Sequence, residues 1–326
     1  MVNSASAEMD IVDVLCTLEA FSGIVKHVGG DLVNVSYLLP EGASPHEYSL
    51  SPEDIKKAQS ADLIVLVNSK FLSIESELKE SLSDKLFLDF EDYEEYNITL
   101  LPAPGIEKNY HGYWLYPENA VAIARAVCEA LTELMPEYKE IFGRNLDSFV
   151  EKVFSLKERM IQVSKDKGLY GGGVLLAVPA VAYVAYSFGM EPKETVLKAP
   201  GSFISPSELA EVEEEIDRGE IILGLCPDSF RDSKPGEIME EISKTTGLVI
   251  AYVRIFSLCG LNDYLTLMSY NIGVISSVSK EESVSGVLSE LTIYLVIGFI
   301  FVVTIAIIES FIIFSFRRKV EGVLHE

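Results

Sequence analysis

The residues in this chain best suited to chemistry are two histidines. Neutral imidazole is a nitrogen donor and a common ligand for transition metals. The first, His46, lies in Leu39-Pro40-Glu41-Gly42-Ala43-Ser44-Pro45-His46-Glu47-Tyr48, a proline-stiffened stretch leading to the helix start Ser51-Pro52-Glu53-Asp54. The second, His111, opens His111-Gly112-Tyr113-Trp114-Leu115-Tyr116-Pro117 and stands beside the one tryptophan of the chain. Of the 4 histidines, His27 falls at a helix end beside Gly29-Gly30, where a cation complements the helix dipole, and His325 falls in the C-terminal tail. Cys16, Cys128, Cys226 and Cys259 have no Cys-x-x-Cys spacing and are too sparse for a disulfide scaffold. There is no Gly-x-Ser-x-Gly elbow, Walker loop or His-Glu-x-x-His. Gly171-Gly172-Gly173 precedes a strand, whereas phosphate-binding glycines follow one. These observations point to a binding protein and not an enzyme.

The elements that must position the histidines follow an alternating pattern. An apolar strand from Asp10 to Thr17 precedes a helix from Leu18 to Val28, and a second strand from Val33 to Leu38 leads into the His46 loop. Ser51 and Pro52 open a helix that ends before the strand Asp62 to Val67, and Pro117 opens one that runs through Leu134. Pro136 opens a helix to about Lys167, long enough to span two lobes. A second series then begins, with a strand from Val174 to Val178, a helix start at Ser205-Pro206-Ser207-Glu208, and a strand from Glu220 to Leu225. It closes with a helix from Gly236 to Thr246, a strand from Leu248 to Ile255, and a helix from Asp263 to Ser277. Strand and helix in alternation predict parallel sheets covered on both faces.

Charge and hydropathy set the surroundings. A net charge of -24 repels phosphate backbones and argues against nucleic acid as a partner. Residues 291–316 form an apolar run with one charge, Glu309, long enough to cross a bilayer core of roughly 30 Å. The cluster Arg317-Arg318-Lys319 behind it predicts a cytoplasmic tail and places everything before the run on the outer face. The first residues lack a basic and apolar export signal, and outward placement leads one to expect a sequence that starts after a removed signal. Asn34-Val35-Ser36 and Asn97-Ile98-Thr99 match the acceptor pattern for glycans outside the cell.

Taken together, Val28-Gly29-Gly30-Asp31, the His46 stretch, Ala61-Asp62-Leu63-Ile64-Val65, Trp114-Leu115 with Pro117, Ser205-Pro206-Ser207-Glu208-Leu209, and Asp263-Tyr264 with Asn271 resemble a known family. That family is the zinc/manganese solute-binding proteins of ABC transporters, and the likeness covers about residues 9–282. The resemblance implies an α/β fold in which two lobes with parallel sheets are joined by one long rigid helix. It also implies an interlobe cleft holding Zn2+ or Mn2+ as transported ligand, and an ABC transporter permease as partner. The corresponding division is a first lobe at 1–135, a linking helix at 136–168, a second lobe at 169–282, a juxtamembrane linker at 283–290, a single transmembrane helix at 291–316 and a tail at 317–326.

His46 matches the family's first histidine ligand. His111 matches the second with one extra residue, since Gly112 and Tyr113 both intervene before Trp114. The third position falls on Val178 and the fourth near Phe256, neither of which binds a metal. Cys226 and Cys259, at the ends of second-lobe strands, stand as substitute donors, as a disulfide, or as two inert thiols. A competing reading keeps the two-lobed scaffold without metal transport, as a surface or assembly subunit that associates with itself.

Overall fold

The computed structural model describes residues 11–40, 45–46, 48–256 and 263–278. Its first half begins with β1 (Val12–Cys16), α1 (Glu19–Gly29), β2 (Val33–Tyr37), α2 (Pro52–Ser60) and β3 (Leu63–Val65). There follow α3 (Ser73–Ser81), β4 (Leu86–Leu88), α4 (Phe90–Glu94) and α5 (Pro117–Leu134). The strands pair in parallel in the order β2-β1-β3-β4. Helix α1 covers the sheet with Phe21, Ile24, Val25 and Val28, the spacing of one helical face. Ser51 caps α2 through a capping box with Asp54, and Pro52 and Pro117 stand at helix starts where a missing N–H costs nothing.

Helix α6 (Lys139–Asp166) follows a 3-10 turn at Pro136–Tyr138 and runs for 28 residues, about 42 Å at the helical rise. It packs against α1 and α5 on the first-lobe side and against α7 (Ala182–Ser187) and α10 (Tyr264–Ser277) on the other. The expected long helix is therefore present, with its first turn wound as 3-10.

The second sheet contains β5 (Gly173–Leu176), β6 (Glu191–Thr195), β9 (Ile221–Pro227) and β10 (Ile250–Val253) in the parallel order β10-β9-β5-β6. Strands β7 (Leu197–Ala199) and β8 (Ser202–Phe203) pair separately and antiparallel, and α8 (Pro206–Asp217) and α9 (Lys234–Thr246) complete this half. Asn271 on α10 binds both backbone groups of Arg254, at 2.7 and 2.8 Å, and so fixes the chain just past β10.

Both sheets reverse strand order beside their first strand, and in open α/β sheets ligands bind at the carboxyl ends of strands near such a switch. Among the described residues no helix is long and apolar enough to cross a membrane; residues 291–316 lie outside them.

Candidate metal centre

The two histidines, 65 positions apart in the chain, meet at the carboxyl end of the first sheet. Their ring centroids are 5.9 Å apart and inclined at 54°. Two imidazoles that share an ion at metal–nitrogen distances of about 2.0 Å hold their centroids roughly 5 to 6.5 Å apart, a range that includes this separation. Phe71, in the segment after β3, stands edge-on to both rings, 5.5 Å from His46 and 4.9 Å from His111. Tyr110 stacks behind Phe71 at 5.5 Å.

Each of these side chains is held by the elements around it. The His46 loop is tied to α2 where the Tyr48 hydroxyl donates to Asp54 at 2.9 Å, the same carboxylate that accepts from the Ser51 backbone at 2.8 Å. The segment carrying Phe71 is fixed by the buried Glu75, which accepts from the backbone of Val67 at 2.8 Å, from that of Asn68 at 2.7 Å, and from the Thr17 hydroxyl. Asp89 braces the same segment through Ser69 and Lys79. The His111 segment is anchored to the chain just past β3, where the Tyr113 hydroxyl donates to the Val67 carbonyl at 2.8 Å.

Burial, and secondarily the neighbouring His46, push the His111 ring below its ordinary pKa. His111 is therefore neutral at neutral pH, the form that binds metals. Its Nδ1 lies 3.2 Å from Asn109 Oδ1. Asn109 is buried, and its Nδ2 reaches across to the Pro179 carbonyl at 2.8 Å. Gly112, with φ 77, packs against Ala180, where an added Cβ would stand 3.0 Å from the Ala180 carbonyl. The His111 loop is thus seated on the turn that ends β5.

The second lobe faces this pair with a different chemistry. Val178 and Phe256, the positions to which the sequence resemblance assigns the third and fourth ligands, are respectively buried and apolar, and partly buried against the core. Cys226 is a free thiol inside β9, with Sγ 3.4 Å from the Pro227 carbonyl, and burial pushes its pKa up to about 12. It is protonated at neutral pH and poorly suited to be a ligand. Cys259 lies outside the described residues. Among the described residues no group of three or more His, Cys, Asp or Glu could hold a metal. His27, read as a helix-end cation, sits near the end of α1 with Nε2 2.5 Å from Asp263, the N-cap of α10, and so joins the first lobe to the last helix.

Phe71, Glu75 and Asn109 were not singled out by sequence patterns.

Comparison with known proteins gives a consistent picture. A family model described as ZnuA, zinc-uptake complex component A, periplasmic, matches residues 14–278. The chain is 24% identical over 302 residues to a manganese ABC transporter substrate-binding lipoprotein of Streptococcus gordonii, covering 84% of this chain and 91% of that one. Among solved structures, ZnuA superposes with a TM-score of 0.67 at 20% identity, covering 82% of this chain and 98% of the other. The periplasmic zinc-binding protein TroA of Treponema pallidum superposes with a TM-score of 0.66 at 18% identity, with 82% and 98% covered. These superpositions share the two-lobed α/β fold described above.

Proposed function

We propose that this chain, which belongs to the family of periplasmic zinc-uptake complex component A, captures a first-row transition metal ion between its lobes and presents it to an ABC permease. It is a binding protein and not an enzyme. The observation that carries this reading is the pairing of His46 and His111 at 5.9 Å on an aromatic wall. Relatives named as manganese transporter lipoproteins and zinc-binding proteins support the cargo class. Two imidazoles, with no carboxylate grouped with them among the described residues, favour zinc over the oxygen-preferring manganese.

The proposed site is formed by the two histidines; Cys226, buried and protonated, is not part of it, and Cys259 lies outside the described residues. The relatives' names describe lipoproteins; here residues 291–316 are the proposed tether, with the lobes outside and the basic tail in the cytoplasm. The domain scheme proposed is 1–135 and 169–282 for the lobes, with 136–168 linking them. Glycosylation and self-association are not part of the proposal. The retained imidazole pair, with a hydrogen-bond partner at His111 Nδ1, favours a receptor over a scaffold that has lost its site.

The test is calorimetric titration of the full chain with zinc and with manganese, alongside His46→Ala. Zinc should bind at about micromolar or tighter, near -8 kcal/mol, and the variant should lose at least about tenfold. No heat and no thermal shift with any first-row ion would sink the proposal.

A further inference from the structure

We propose that Asn109 is a positioning residue that decides which nitrogen of His111 is offered to a ligand, and that contacts to the second lobe orient its amide for this. This rests on the reading of His111 as a metal ligand.

Two constraints orient the Asn109 amide independently. The backbone N–H of His111 can only donate, so the Asn109 atom 3.0 Å from it is the carbonyl oxygen Oδ1. The Pro179 carbonyl can only accept, so the Asn109 atom 2.8 Å from it is Nδ2. Both contacts give the same orientation. The His111 Nδ1 facing Oδ1 at 3.2 Å must then carry the ring proton, and Nε2 holds the lone pair. Ring and amide thus form the arrangement that orients metal-bound histidines, in which the non-ligating N–H is given to a fixed acceptor.

The orientation depends on both lobes. The Asn109 backbone carbonyl accepts from the Tyr183 hydroxyl at 2.5 Å, and Tyr183 lies on α7. The same hydroxyl takes the Leu101 N–H at 3.2 Å. Asn109 is therefore held by the second lobe at two points, Pro179 and Tyr183. Pro179 directly follows Val178, the position where a ligand from the second lobe would stand. In place of a third donor, the second lobe supplies a carbonyl that locks the amide orienting the first lobe's ligand.

The test uses the full chain with 15N-labelled histidine, whose four rings resolve easily, with His111→Ala for assignment. Two-bond proton–nitrogen spectra at about pH 8, where free imidazole is neutral, report which nitrogen is protonated. Wild type should show His111 protonated on Nδ1. Asn109→Asp gives up the Pro179 contact but has two acceptor oxygens, either of which can take the Nδ1–H, so it should keep that tautomer and bind zinc more tightly than the leucine variant. Asn109→Leu should shift the proton to Nε2 and weaken zinc about 10- to 100-fold.

The proposal is overturned by a wild-type ring protonated on Nε2, by loss of the Nδ1–H tautomer in Asn109→Asp, or by an unchanged tautomer in Asn109→Leu. If the leucine variant does not fold, the wild-type and aspartate spectra still decide it. A wild-type Nδ1–H tautomer without zinc binding would leave the role of Asn109 standing and sink the metal reading instead.

Discussion

Glu75 has the most consequential single environment near the site. Burial raises its carboxyl to about 7, while the donors Thr17, Val67 and Asn68 pull in the opposite direction. Because its folded-state pKa lies above the usual carboxylate value, the folded protein holds this proton where the unfolded chain has released it. The contribution to stability is therefore fully present below about pH 4.5 and is lost as pH rises through about 7, by roughly 3 kcal/mol in all. Urea unfolding followed from pH 5 to 8 should show this decline. Glu75→Gln should remove the slope and cost about 1 to 3 kcal/mol at pH 5, since its amide leaves one backbone N–H facing another donor. A wild-type curve parallel to that of the variant would refute the assignment. Sequence alone reached His46 and His111 because their signals are local, in prolines, glycines and the tryptophan beside them. It did not reach Glu75 or Asn109, whose meaning comes from partners 58 and 70 positions away.

At the scale of elements, helix starts were legible and short strands were not. Ser51 and Ser205 form the capping boxes their spacing predicts, and Pro117 opens α5, which ends at Leu134 as read. Strands such as β4, three residues long, and β8, two, are too short to show a period. The loop between α4 and α5 is where element geometry reaches the site. Gly112 and Gly105 share φ 77, but Gly112 lies against Ala180 while nothing lies within 4 Å of the Cβ position of Gly105. Alanine at either position incurs the left-handed backbone penalty of about 1 kcal/mol. Only Gly112→Ala also pushes the His111 loop off the second lobe, so it should cost about 1 to 3 kcal/mol in all and weaken zinc binding. Gly105→Ala should leave zinc affinity unchanged. Equal losses in the two variants, by thermal melts and calorimetry, would show that the seating of the loop on Ala180 carries no energy.

Across the whole molecule, hydrogen bonds between protein groups bridge the lobes. Asn109 reaches Pro179, Tyr183 reaches Asn109, and Tyr264 on α10 donates to the Leu115 carbonyl at 3.2 Å. A ligand shifts a conformational equilibrium only by its difference in affinity for the two states. Where His46 and His111 supply the protein donors from one lobe, an ion gains little from closure, and zinc should change the radius of gyration in small-angle scattering by no more than experimental error. A donor on the second lobe alters that balance. Val178→His places an imidazole at the position to which the sequence resemblance assigns a third ligand, just past β5 and beside the Pro179 carbonyl that Asn109 grips. With three nitrogen donors from two lobes, zinc affinity should rise at least about tenfold, or 1.4 kcal/mol, and the thermal shift with zinc should grow with it. If Val178→His folds but binds zinc no more tightly than wild type, position 178 does not face the histidine pair. The second lobe would then act on the ion through Asn109 alone.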